Sequence, residues 1–170
     1  MNLKKNLVLL GMMGSGKSTI GALISKKLKL KFVDIDKNIE KETNMKISEI
    51  FEKKGENFFR NIEEKITLKL LGLSNLVISL GGGGFVNDKI RKEVLNNNSS
   101  FWLNWSSQTL LNRIKNSKKR PIAIKFDNVE LIELIEKRSK IYSKAKFKIN
   151  CEKLTKLEIS KKIINLYEQK

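Results

Sequence analysis

Short apolar runs alternate along this chain with longer stretches in which apolar residues recur every three or four positions. That rhythm predicts an α/β protein, a parallel sheet wrapped by helices. The short runs at 7–10, 31–36, 76–80, 100–103 and 145–150 are expected to be five strands. Helices are expected over 19–28, 37–43, 47–54, 56–71, 87–95, 128–142 and 155–167, with another starting behind Ser106 or Ser107 and running to Ile114. Gly55 should stop the helix before it. In the next helix Phe58, Phe59, Ile62, Ile66 and Leu70 should share one face, with Arg60 and Glu63 three apart on a neighbouring face and close enough to pair. No repeat, low-complexity tract or linker interrupts the 170 residues, so one domain is expected.

The first apolar run leads into Gly11-Met-Met-Gly14-Ser15-Gly16-Lys17-Ser18. This fits G-x-x-x-x-G-K-[ST], a phosphate-binding loop between strand and helix. Glycines let successive backbone N–H groups face phosphate oxygens. Lys17 suits the β- and γ-phosphates, Ser18 suits Mg²⁺, and the helix opening near Thr19 adds its dipole to the anion site. Ligands of α/β sheets gather at the carboxyl ends of strands. Asp34 and Asp36 end the second run, and Gly81-Gly-Gly-Gly84 follows the third, so both are expected on the same edge as the loop.

Composition narrows the chemistry. There is no histidine, which removes His-based triads and His-ligated zinc. One cysteine, Cys151, excludes an intrachain disulfide framework and fits a reducing, cytoplasmic setting. No apolar run reaches the roughly 18 residues that span a bilayer. Lys4-Lys5 before the first apolar run resembles the start of an export signal, but the run enters the phosphate loop without a cleavage pattern, so export is not expected. The net charge of +17 invites nucleic acid as partner. The lysines are scattered without interleaved aromatics, so the charge favours a small anionic substrate over nucleic acid.

Against 30 lysines, only five arginines occur: Arg60, Arg91, Arg113, Arg120 and Arg138. They mark places where a planar, bidentate donor is wanted. The charged stretch 115–127 holds Arg120 and the only proline, and is expected to be a mobile surface loop acting as a lid. Trp102 and Trp105 are expected to pack rather than to serve as stacking platforms. A GTPase would need Asp-x-x-Gly and Asn/Thr-Lys-x-Asp, and the chain has neither. A kinase for a small hydroxyl compound needs an acid at the hydroxyl, cations on the acceptor and a closing arginine. Asp36, Arg60, Arg138 and Arg120 supply that set, although a nucleoside monophosphate kinase remains open on size alone.

Five segments together resemble the shikimate kinase family: the loop at 11–18, Phe-Val-Asp-Ile-Asp at 32–36, Ile-Ser-Glu-Ile-Phe-Glu-x-x-Gly-Glu-x-x-Phe-Arg at 47–60, Ser-Leu-Gly-Gly-Gly at 79–83, and Arg120-Pro121 with Lys137-Arg138-x-x-x-Tyr142. The resemblance implies a single-domain P-loop kinase fold in which ATP phosphorylates the 3-hydroxyl of shikimate, a step toward chorismate and the aromatic amino acids. It implies an ATP site of Gly14, Ser15, Gly16, Lys17, Ser18, Thr19, Arg113 and Arg120, with Arg113 stacking on adenine. Ser18 and Asp34 would hold Mg²⁺. Asp36 would bind the acceptor hydroxyls and orient or deprotonate the attacking one. Arg60, Arg138 and the Gly82 backbone would bind shikimate, the arginines chiefly through its carboxylate, within an acceptor segment of about 36–63. Phe51, Phe59, Glu63, Pro121 and Ile122 match positions that line or brace that pocket. A monomer is expected. The chain departs from the family pattern after Asn150, where proline and arginine are missing, in Arg-Pro-Ile for Arg-Pro-Leu, and at Gly84, where relatives often have alanine. Gluconate kinase is the runner-up among enzymes, and a basic nucleic-acid-binding P-loop protein is the alternative from another class.

Overall fold

A computed structural model describes residues 5–116 and 126–169. Five parallel strands, β1 (Leu7–Leu10), β2 (Lys31–Asp34), β3 (Leu76–Ser79), β4 (Ser99–Asn104) and β5 (Phe147–Asn150), lie in the order β2-β3-β1-β4-β5. The helices among the described residues are α1 (Lys17–Leu28), α2 (Ile35–Thr43), α3 (Ile47–Leu71), α4 (Asp88–Asn97), α5 (Ser107–Lys115), α6 (Asn128–Tyr142) and α7 (Lys156–Glu168). A 3-10 turn, Gly84–Val86, follows the glycine run after β3.

The central strands are apolar on both sides because helices cover both faces. Side-chain alternation divides each run between two cores. Val8, Leu10, Ile78 and Trp102 pack with residues of α3 to α6, whereas Leu7, Leu9, Val77 and Phe101 pack with α1 and α7. Adjacent β1 and β4 send their connections in opposite directions, β1 toward β2 and β4 toward β5. This is the point at which an open α/β sheet forms a ligand crevice.

Local chemistry sets the element ends. Asn87, Ser106, Asp127 and Thr155 each cap the helix that follows by accepting a backbone N–H. Two expectations are corrected. The second strand ends at Asp34 and not at residue 36, because the Asp34 carboxylate accepts the Lys37 N–H and starts α2. Asp36 therefore stands in the first turn of a helix. Gly55 does not stop α3 but bends it: its φ of +82° is non-helical and helix resumes directly. A side chain there would meet nothing within 4 Å, so glycine serves the dihedral and not the space. Phe51 and Phe59 meet across the bend with ring centroids 4.7 Å apart.

The buried stripe of α3 also differs from the apolar pattern. It runs through Phe59, Glu63, Ile66, Thr67 and Leu71, whereas Phe58 is 38% exposed. A pattern drawn on apolar residues alone skips Glu63 and Thr67.

Gly84 lies in the 3-10 turn, and a Cβ there would make only ordinary contacts, at 3.6 Å to Glu63 Oε1 and 3.8 Å to Leu80. Gly84→Ala should therefore raise unfolding stability by about 0.5 kcal/mol by restricting the unfolded chain. The check is the midpoint of urea unfolding, which should move up at unchanged slope.

Candidate active site

The loop after β1 wraps its own lysine. Lys17, 9% exposed, donates from Nζ to the carbonyls of Gly11 at 2.8 Å and Met12 at 3.0 Å. Ser15 N–H donates to Met12 O, so the loop doubles back before α1 begins. Gly14, Ser15 and Gly16 line a cavity of about 420 Å³ together with Trp105, Arg113 and residues of the 154–159 segment. Thr19, in the first turn of α1, is exposed.

Ser18 Oγ donates to Asp34 Oδ2 at 2.5 Å. The loop hydroxyl and the carboxylate capping α2 are thus adjacent hard oxygen donors. Mg²⁺ takes one or two such protein oxygens and fills its octahedron with phosphate and water. The pair fits an ion carried in with a nucleotide. Among the described residues no group of three or more His, Cys, Asp or Glu forms a cage of its own.

A second cluster of charged side chains is built on the glycines after β3. A Cβ on Gly81 would lie 2.7 Å from Glu63 Oε1 and 2.8 Å from Asp36 Oδ1. One on Gly83 would collide with the Arg60 guanidinium, and one on Gly82 would sit 3.4 Å from Arg138 Nη1 and 3.6 Å from the Met13 N–H nitrogen. The run therefore makes room for side chains that reach it from α2, α3 and α6. Arg60 donates to Glu63 Oε2 at 2.7 Å and to Glu56 Oε1 at 3.3 Å. Burial works against the Arg60 charge, but the two glutamates outweigh it and hold its pKa above the ordinary value. Arg138 is half-buried, with Nη1 3.7 Å from Met12 Sδ. Tyr142, one turn further along α6, donates its hydroxyl to Gly82 O. Burial pushes that phenol up to about 12, so it remains a donor across the physiological range.

Asp36 is the strained group. It keeps solvent access on one side while protein surrounds the rest, and its pKa is pushed up to about 6. Lost hydration is the main cause, followed by the neighbouring Asp34, with Glu63 and Glu40 adding to it and Lys17 opposing.

The structure brings Asp36, Arg60, Gly82 and Arg138 together opposite Lys17, Ser18 and Asp34. Arg113 lies apart, beside the Gly14 carbonyl, which its Nη1 meets at 3.4 Å. Arg120, Pro121, Ile122 and most of the expected lid lie outside the described residues. Arg91, which the resemblance leaves unassigned, donates to the Phe85 and Val86 carbonyls and pairs with Asp88. Trp105 packs against both cores, as expected, and also carries the Arg113 guanidinium over its ring at 3.7 Å while its Nε1–H donates to Ser15 O at 3.0 Å. Only its position two residues after Leu103, at a strand's carboxyl end, pointed that way in the sequence.

The sequence model of the shikimate kinase family matches residues 13–168. The chain belongs to the shikimate kinase family. It is 41% identical over 160 residues to the shikimate kinase of Persephonella marina, covering 94% of this chain and 97% of that protein. It is 42% identical to that of Thermodesulfovibrio yellowstonii, covering 97% and 96%. Among solved structures, shikimate kinase from Acinetobacter baumannii in complex with shikimate superposes at TM-score 0.91, with 28% identity and 98% and 94% coverage. The Aquifex aeolicus shikimate kinase gives 0.86 at 37% identity, covering 96% of each chain. A gluconokinase from Sinorhizobium meliloti, at 15% identity and TM-score 0.63, shares the fold alone. The chain is accordingly a kinase, a phosphotransferase acting on an alcohol. No described helix is long and apolar enough to cross a membrane.

Asp36 ties the site to stability. Its ordinary value is 3.8, so between pH 3.8 and about 6 the folded chain holds a proton that the unfolded chain has lost. Stability therefore falls as pH rises through that window, and the loss is complete above it. Asp36→Asn should be more stable than the parent by about 1 kcal/mol at pH 7.5, solvent access having trimmed the effect, with the gap closing by about pH 4. Urea unfolding of both proteins at the two pH values measures it.

Proposed function

We propose that the chain transfers the γ-phosphate of ATP to the 3-hydroxyl of shikimate, giving shikimate 3-phosphate and ADP on the way to chorismate and the aromatic amino acids. The observation that carries this reading is the convergence of Asp36, Arg60 and Arg138 on the glycine run after β3, facing the loop Gly11–Ser18. Two guanidiniums suit a carboxylate through paired N–H···O bonds. A carboxylate between them and the loop suits a ring hydroxyl.

In this reading the loop amides and Lys17 hold the transferring phosphate, with Lys17 exchanging its carbonyl partners for phosphate oxygens. Ser18 and Asp34 would hold Mg²⁺, which supplies charge neutralisation on the phosphates when bound. Arg113 stacks against the base. Arg60 and Arg138 fix the acceptor carboxylate, and the Gly82 backbone, kept in place by Tyr142, borders the ring. Asp36 aligns the attacking hydroxyl. The new bond joins its oxygen to the γ-phosphorus, the bridging P–O bond breaks toward ADP, and the proton passes to the Asp36 carboxylate. Arg120 in the lid at 115–127 would close over the phosphates and help exclude water as a competing acceptor. Residues 36–63 form the acceptor segment of a single-domain, monomeric, cytoplasmic enzyme.

A coupled ADP-release assay with ATP, Mg²⁺ and either shikimate, gluconate or a nucleoside monophosphate tests this directly. Turnover should require shikimate, and folded protein without shikimate-dependent turnover would refute the proposal. Asp36→Asn should lose at least about a hundredfold in kcat while still binding ATP. Because protonated Asp36 accepts no proton, kcat/KM of the parent should decline as the pH falls below about 6.

A further inference from the structure

Trp105 follows β4 and precedes the cap of α5, and it is half-buried beside the nucleotide-side cavity. Its two polar and aromatic contacts serve different partners. The indole face lies 3.7 Å below the Arg113 guanidinium carbon, close enough for flat stacking. The indole N–H donates to the Ser15 carbonyl at 3.0 Å, inside the phosphate loop. Arg113 reaches the same loop through Gly14 O at 3.4 Å. One ring thereby joins the phosphate loop to the side chain that borders the base end of the cavity.

Ile20, Leu154 and Ile159 give the cavity an apolar wall, with Thr155 and Lys156 beside them. The segment after β5 spends much of its hydrogen bonding on β4 and on itself. Cys151 N–H goes to Asn104 O, Leu154 N–H to Cys151 O, and the Thr155 N–H and hydroxyl both go to Glu158. A planar ring entering here meets stacking surface more than it meets edge donors. An exposed arginine alone is a poor platform, since ordering its long side chain costs rotamer entropy. With its carbon 3.7 Å from the centre of the indole, the exposed Arg113 guanidinium is already in part ordered and needs less further ordering to meet a base.

We propose that Trp105 is a positioning residue for the nucleotide: it holds Arg113 flat as a base-stacking platform and fixes that platform relative to the phosphate loop. This rests on the nucleotide-binding part of the proposed function and extends it to a residue outside the phosphate-loop motif. Trp105 touches no reacting atom, so its influence falls on nucleotide affinity and leaves the acceptor side alone.

The test measures ADP binding calorimetrically and, separately, KM for ATP and for shikimate in the parent, Trp105→Ala, Trp105→Phe, Arg113→Ala and the Trp105/Arg113 double variant. Trp105→Ala should weaken ADP binding and raise the ATP KM about tenfold, with the shikimate KM and kcat changed less than twofold. Trp105→Phe keeps a stacking face and should lose less than Trp105→Ala. The double variant should bind ADP no more weakly than Arg113→Ala by more than about twofold, because Trp105 acts largely through Arg113. Trp105→Phe keeps the test valid if the alanine variant fails to fold. Folded Trp105 variants that bind ADP as tightly as the parent, or losses that simply multiply in the double variant, would overturn the inference. A parent that binds ADP but turns over no shikimate would refute the proposed function, and the ADP titrations would still decide the role of Trp105.

Discussion

The site depends on a stretch of backbone from which side chains are excluded. Gly81 and Gly83 leave room that Asp36, Glu63 and Arg60 fill, and any larger residue at either position would meet a charged side chain at under 3 Å. Because those side chains come from α2 and α3, the bare turn after β3 sets how closely two helices and a strand end can gather their charges. The same crowding explains the electrostatics. Glu63, 2% exposed, tolerates burial with one oxygen on Arg60, and its charge in turn adds to the strain on Asp36.

The opposite half is organised by the loop after β1, and the two halves meet because the sheet order puts β1 beside β3 and β4. Asp34 is shared between them. It caps α2, orienting the helix that carries Asp36, and its other oxygen accepts from Ser18 on the loop. A single carboxylate thus couples the position of Asp36 to that of the phosphate loop.

Much of this was legible in the sequence. The strands appear as short apolar runs because both faces of the sheet are covered, and β1, α6 and α7 fall within a residue of their expected bounds. The loop, the paired aspartates, Arg60 and Arg138 all stand out from a lysine-rich background, and the fold gathers them at one edge of the sheet, whereas Arg91 pairs elsewhere, with Asp88. What escaped the pattern has physical reasons. A cap and a strand end look alike in Asp34-Ile-Asp36, and only the Lys37 N–H bond decides between them. The pairing of Glu63 with Arg60 was legible in their spacing, but the burial of Glu63 was not, because it rests on that ion pair and not on hydropathy. Trp105 looks like any packing aromatic until its long-range partners, Ser15 and Arg113, are known.

The bend at Gly55 has a mechanical meaning. The positive φ of Gly55 breaks the helix without ending it, so the two halves of α3 are seated by separate contacts. Phe51 touches Phe59 across the bend and links the two halves. The front half of the helix is a short arm braced on both sides, by the Ile47 N–H bond to Glu40 and buried Ile50 against α2, and by the aromatic contact across the bend. It carries part of the wall of the proposed acceptor pocket, so that wall is held by the seating of side chains on either side of a break and not by one unbroken helix.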